Sequence, residues 1–187
     1  MNWLLFVILT YGFLLMQVGL TALLGIPDAQ GVAPDFLLIF AVFVGVQAQT
    51  RTVVWAMLII GICANLLPGP IADGPILGPE ALGYLAGAFA ILQLRTLVFR
   101  ESVISLAIMV FVVGIFIQLV TVALYTGRGL PMLLNQPVPH WNASDELVAR
   151  FLMLLYSAAV SVPIGLVLLK LSPALIASSS KRGERVF

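Results

Sequence analysis

No charged side chain occurs in the first 27 residues of this chain, and Trp3 to Leu24 form one continuous apolar run. A helix needs about 20 such residues to cross the roughly 30 Å hydrocarbon core of a bilayer. A secretory signal would open on a positive region and carry an apolar stretch of only about 7–15 residues. This segment does neither, so it reads as a retained membrane helix.

The rest of the chain repeats the pattern. Of its 187 residues, 61% are hydrophobic and 9% charged, whereas a soluble domain is about 25% charged. So apolar a chain would expose large greasy patches in water, and lipid removes that problem. The length suits one domain. A net charge of +1 provides no field for nucleic acid. Cys63 is the single cysteine, which excludes an internal disulfide and a cysteine metal cluster. The expectation is an all-α integral membrane protein: one transmembrane domain over 1–177 and a short basic cytoplasmic tail over 178–187.

Six helices are expected, at about 2–25, 34–49, 52–67, 80–98, 102–125 and 146–171. The second starts at Pro34-Asp35, and its fully apolar part, 36–46, spans only about 16 Å at the helical rise. It is short, inclined or re-entrant. Between the third and fourth helices, residues 68–79 hold four prolines and three glycines and cannot continue a helix. Irregular backbone is not tolerated against lipid, so this loop lies at a surface or against other helices. A second loop, 126–145, contains Pro131, Pro137 and Pro139. Pro163 falls inside the sixth helix.

Six crossings put both termini on one side. Seven basic residues then share that side (Arg51, Arg95, Arg100, Lys170, Lys181, Arg182, Arg185), against two on the other, Arg128 and Arg150. The excess of Lys and Arg marks the cytoplasmic side, so both termini are expected there. A five-crossing alternative, with a re-entrant second segment, places the N-terminus outside.

Candidate chemistry is sparse. His140, the sole histidine, lies in a loop with no nucleophile and supporting carboxylate recognisable around it, and reads as a solvated side chain. Asp73 and Glu80 flank the proline-rich loop and could form a carboxylate pair, although Glu80 equally suits a helix N-terminus. Asp28, Asp35, Arg51, Arg95, Arg100, Glu101 and Arg150 all fall near helix ends, so the intramembrane charges typical of ion-coupled carriers are lacking. Gln17, Asn65, Gln93, Gln118 and Thr121 are expected to hydrogen-bond between helices. Asn142 or Ser144 can cap the sixth helix, with Asp145 and Glu146 in its first turn and Arg150 four residues beyond Glu146. No enzyme, cofactor or metal site is expected.

Packing motifs are better represented. Gly83 and Gly87 form a G-x-x-x-G in the fourth helix. Ser157, Ser161 and Gly165 form a small-residue stripe in the sixth. Both allow close helix approach, within this chain or against a partner's helix.

The order of Pro34-Asp35 opening a short apolar helix, the turn at Arg51, the run Gly61-Ile62-Cys63-Ala64-Asn65-Leu66-Leu67-Pro68-Gly69-Pro70, the run Leu77-Gly78-Pro79-Glu80-Ala81-Leu82-Gly83-Tyr84-Leu85-Ala86-Gly87 and the turn Val98-Phe99-Arg100-Glu101-Ser102 resembles the rod shape-determining protein MreD family of bacteria. The chain departs from it at Ala64-Asn65, where members often carry an acid, and in its longer, more proline-rich loop. The resemblance implies a fold similar to the substrate-binding components of energy-coupling-factor transporters. It further implies a non-enzymatic scaffold of the cell-elongation machinery in the inner membrane. Such a scaffold binds an MreC-like single-pass protein and helps link MreB filaments to the polymerase and transpeptidase of wall synthesis. Candidate interface residues are Gly83, Gly87, Asp73, Glu80, Pro34, Asp35, Ser157, Ser161 and Gly165. The alternative is the substrate-binding component of a small-solute, vitamin-type transporter that recruits cytoplasmic ATPases. An enzyme acting on lipid precursors would need an acid–base or metal cluster not found here.

Overall fold

The computed structural model describes residues 1–25, 32–67, 78–96, 102–128 and 142–176. They form six helices: α1 (Trp3–Leu24), α2 (Phe36–Gln47), α3 (Thr50–Asn65), α4 (Pro79–Leu94), α5 (Val103–Arg128) and α6 (Ala143–Ile176). The protein is thus a helical membrane protein. Helices α1, α5 and α6 are each long and apolar enough to cross a bilayer. Helices α2, α3 and α4 have 12, 16 and 16 residues, about 18–24 Å at the helical rise, shorter than a hydrocarbon core. The expected loop at 68–77, the loop at 129–141 with His140, the turn holding Arg100 and Glu101, Asp73 and the basic tail lie outside the described residues.

The arrangement is built around α2. Every residue from Phe36 to Val46 is buried, as expected of a helix that is apolar on all sides. It touches each of the other five helices. Phe6, Thr10 and Phe13 bury one stripe of α1 at the three-to-four-residue spacing of a helix face. Phe6 and Phe13 stack on Phe40 of α2, with ring centroids 5.9 and 4.9 Å apart. The remainder of α1 is largely exposed, including Leu4, Val7, Ile8, Tyr11, Leu15 and Val18. These face outward as a lipid-compatible surface.

The two ends of the bundle differ in content. At one, here the proximal end, the Asn2 N–H donates to the Leu175 carbonyl at 2.9 Å. This ties the start of α1 to the end of α6. Arg95, the C-cap of α4, donates to the Ala48 carbonyl at 3.2 Å and the Thr50 hydroxyl at 2.9 Å, which pins the α2–α3 turn. The opposite, distal end holds the starts of α2, α4 and α6. There Gly78, at φ +131°, a conformation open to glycine at little cost, leads into Pro79 at the first helical position of α4.

Glycines set the closest helix approaches. A Cβ on Gly61 of α3 would lie 2.7 Å from the Ala81 backbone of α4. On Gly83 it would meet the Thr121 hydroxyl and, at 3.0 Å, the Ile117 carbonyl of α5; on Gly87 it would lie 2.6 Å from the Ile117 side chain. Gly165 similarly faces Leu106 and Val103 of α5. In lipid there is no hydrophobic force between helices, so this van der Waals contact carries much of the association.

Helix α6 differs from its expected bounds. It starts at Ala143 and continues to Ile176 through both Pro163 and Pro173, 34 residues or about 51 Å. Asn142 accounts for the early start: its Oδ1 accepts from the Ser144 N–H at 3.1 Å and its Nδ2 donates to Asp145 at 2.8 Å.

Replacing Gly83 or Gly87 by leucine should destabilise the fold by about 1–3 kcal/mol or prevent folding, as overpacking does. Leucine at Gly12, where nothing lies within 4 Å, should leave the melting temperature in detergent unchanged. Equal melting of all three variants would show that the α4–α5 contact does not depend on these glycines.

Candidate functional site

The polar side chains of the distal half gather around the start of α2. Because α2 is short, its N-terminal amides end among other helices, where unpaired donors are costly. Side chains from three helices meet them. Ser157 of α6 accepts the Asp35 N–H at 2.8 Å, Gln17 of α1 accepts the Phe36 N–H at 2.7 Å, and the Asp35 carboxylate, as N-cap, accepts the Leu38 N–H at 2.9 Å. Gln17 also donates to the Pro34 carbonyl at 3.5 Å, and Ser157 donates onward to the Met153 carbonyl at 2.7 Å.

The second Asp35 oxygen accepts from the Tyr84 hydroxyl of α4 at 3.5 Å; Tyr84 is only 1% exposed. Tyr84 lies four residues after Glu80, so the two share a face of α4. Glu80 in turn accepts from Arg150 of α6 at 3.4 Å. The same guanidinium donates to Glu146 at 2.7 Å and to the Gln118 amide oxygen of α5. Arg150 is 9% exposed, so this pair is a largely desolvated node joining α4, α5 and α6. Such pairs are tightened by the low dielectric but costly to break.

The sequence candidates thus divide. Pro34, Asp35, Glu80 and Ser157 come together in the node. Gly83, Gly87 and Gly165 do not join it: their faces are covered by α5 of the same chain. Of the two roles open to them, the structure places these glycines in packing within this chain. Ser161 is buried and donates to its own helix, at the Ala158 carbonyl, 2.7 Å away. Asp73, and with it the Asp73–Glu80 pair, lies outside the described residues.

The sequence reading places Arg150 near a helix end, four residues beyond Glu146. The earlier start of α6 places it two turns inside, and its second carboxylate is 70 residues away in sequence. Tyr84 and Gln118 also belong to the node. Gln118 fits the expected hydrogen bonding between helices, and so does Gln17. Asn65 instead donates to the Gly61 carbonyl of its own helix at 3.0 Å, and neither its Oδ1 nor the Thr121 hydroxyl has a partner. Among the described residues no group of three or more His, Cys, Asp or Glu is placed to hold a metal ion. Chemically, the node does one thing well: it locks the distal ends of five helices, α1, α2, α4, α5 and α6, in register.

No family model, curated protein or solved structure matches the chain.

Arg150→Met should lower stability by up to about 3 kcal/mol by stranding Glu80 and Glu146. Adding Glu80→Gln and Glu146→Gln should restore part of that loss. A triple variant no more stable than Arg150→Met would show that the arginine does not act through these carboxylates. Thermal melting of the reconstituted protein reads both.

Proposed function

We propose that this chain is a membrane scaffold of the MreD type, a non-enzymatic component of the bacterial cell-elongation machinery. It binds an MreC-like single-pass protein and helps couple cytoplasmic MreB filaments to peptidoglycan synthesis. The motif residues that resemble the family, from Pro34-Asp35 through Gly83-Tyr84-Leu85-Ala86-Gly87, motivate the reading.

One observation carries it furthest. The polar groups of the distal half engage one another, the close-packing glycines of α4 engage α5, and α1 is left with a broad apolar face turned away from the bundle. That is the surface distribution of a rigid platform with apolar outer faces, α1 among them, open to another helix. Gly12 and Gly19 of α1 meet nothing within 4 Å and, seven residues apart, return to the same helix face. Exposed Ile8, Tyr11, Leu15 and Val18 flank them. On this reading a partner's transmembrane helix lies along α1, close against the two glycines.

The proposed setting is the bacterial inner membrane. The proximal end carries the start of α1, the end of α6, Arg51, Arg95 and Lys170, and its basic residues support a cytoplasmic position. Helices α2, α3 and α4 then act as short crossings, in an arrangement similar to the substrate-binding components of energy-coupling-factor transporters.

The test is a mild-detergent pull-down from native membranes with mass spectrometry. Recovery of a single-pass coiled-coil protein with wall-synthesis enzymes is expected, and the pair Gly12→Leu, Gly19→Leu should lower it several-fold without changing the melting temperature. Recovery of paired ABC-type ATPases instead would overturn the scaffold in favour of a solute-binding transporter component.

A further inference from the structure

Helices α3 and α4 form a flank of unusually small height. Each has 16 residues, about 24 Å at the helical rise, against a hydrocarbon core of roughly 30 Å. The two lie side by side with their ends level. At the proximal end Arg95 of α4 donates to the Thr50 hydroxyl at the start of α3 at 2.9 Å. Towards the distal end Gly61 of α3 lies against the Ala81 backbone of α4. Elsewhere α1, α5 and α6 have 22, 26 and 34 residues, about 33–51 Å.

Both short helices are stopped at each end. Shortly after α3 comes Pro68-Gly69-Pro70, which cannot continue a helix. Pro79 opens α4 behind Gly78 at positive φ. On the proximal side the turn into α3, at Gln49 and Thr50, is polar and exposed. Arg95, the C-cap of α4, is tied sideways to the Ala48 carbonyl and the Thr50 hydroxyl. It therefore does not reach outward to a distant headgroup as a free arginine does. Tilting the pair would only reduce its height.

The outward faces of the pair are apolar and bulky. Trp55, Ile59, Ile62 and Leu66 of α3 are exposed at the three-to-four-residue spacing of one helix face. Leu82 and Phe89 of α4 are exposed on the neighbouring face. The glycines are turned inward: Gly61 meets α4, and Gly83 and Gly87 meet α5. Close association of helices in lipid uses small residues at the contact, so this flank suits acyl chains better than a partner's helix.

We propose that the α3–α4 flank thins the bilayer beside it and prefers lipids with shorter hydrocarbon chains than those that suit α1. A hydrophobic surface shorter than the local core is accommodated by thinning, by side chains that reach outward or by oligomerising. The tied Arg95 and the polar turn beside it oppose the second route, and the bulky outward faces oppose the third. The inference rests on α3 and α4 being crossings, as proposed above, and is independent of any partner on α1.

The test reads the two surfaces separately. Trp55 is 60% exposed on α3 and Trp3 is 45% exposed at the start of α1, so each ring reports the lipid beside it. One variant, Trp3→Phe with Trp141→Phe, keeps only Trp55; another, Trp55→Phe with Trp141→Phe, keeps only Trp3. Phenylalanine leaves an apolar ring at each position, so the fold is retained. Each full-length variant is reconstituted with dibrominated dioleoyl phosphatidylcholine, which quenches tryptophan. Unbrominated phosphatidylcholine with shorter (dimyristoleoyl) or longer (dierucoyl) chains then competes with the quencher. At Trp55 the shorter lipid should displace the quencher about threefold better than the longer one. At Trp3 that order should be lost or reversed. The same chain-length preference at both rings overturns the proposal and identifies a uniform lipid shell. A Trp55 that brominated lipid does not quench, beside a quenched Trp3, overturns it as well, because a second protein surface then covers the flank.

Discussion

The organising constraint is that a bilayer offers no water to a helix end. Helix α2 reaches the proximal end at Ala48 but at 12 residues stops well short of a full crossing. Its amino-terminal amides therefore finish inside the bundle, where each unpaired N–H would cost several kcal/mol. The solution recruits neighbours: a glutamine from α1, a serine from α6 and the N-cap aspartate. Bringing in Asp35 introduces a carboxylate that itself needs a donor, which Tyr84 supplies. Tyr84 and Glu80 share a face of α4, and Glu80 draws in Arg150. Gln17, Ser157, Asp35, Tyr84, Glu80 and Arg150 thus form a series that begins with one short helix.

Close packing does the rest, and it explains why the small residues are internal. Without a hydrophobic force between helices, α3, α4, α5 and α6 gain from approach distances only glycine permits, at Gly61, Gly83, Gly87 and Gly165. A glycine already opposite another helix cannot also receive a partner. On the proposed scaffold reading, the surface offered to a partner's helix is where helical glycine is uncovered, at Gly12 and Gly19 of α1.

The segment count was legible in the sequence because it rests on apolar length, which needs no knowledge of neighbours. Helix starts were legible where a local signal exists: Asp35 as the N-cap of α2 and Glu80 in the first turn of α4. Helix faces were not. Periodicity distinguishes a buried face from a wet one, but here the outside is as apolar as the inside, so nothing in the spacing of Gly83 and Gly87 says which helix lies opposite. The node was hidden for a second reason. Gln17 with Phe36, Asp35 with Ser157 and Glu80 with Arg150 are 19, 122 and 70 residues apart, and each residue alone looks like an ordinary end-of-helix polar group. Even the pair Glu146–Arg150, visible at four-residue spacing, changes meaning once Glu80 and Gln118 close around it.

The state of the node also bears on what the protein can do. A solute-binding component must present polar groups to its solute and withdraw them on release, so those groups must be available in at least one state. Here Asp35 is engaged by an amide of α2 and by Tyr84, Glu80 and Glu146 by one guanidinium, and Arg150 by three acceptors on three helices. Freeing Arg150 would strand Glu80 and Glu146, and freeing Asp35 would leave the Leu38 N–H of α2 unpaired. The penalty for stranding these partly buried charges, up to about 3 kcal/mol, is a large share of the stability of a small domain. A scaffold asks for no such rearrangement: it works by holding one shape. The arrangement of Asp35, Glu80, Tyr84, Gln118, Glu146 and Arg150 therefore supports the proposed scaffold, which stays rigid and is bound on lipid-facing helix surfaces.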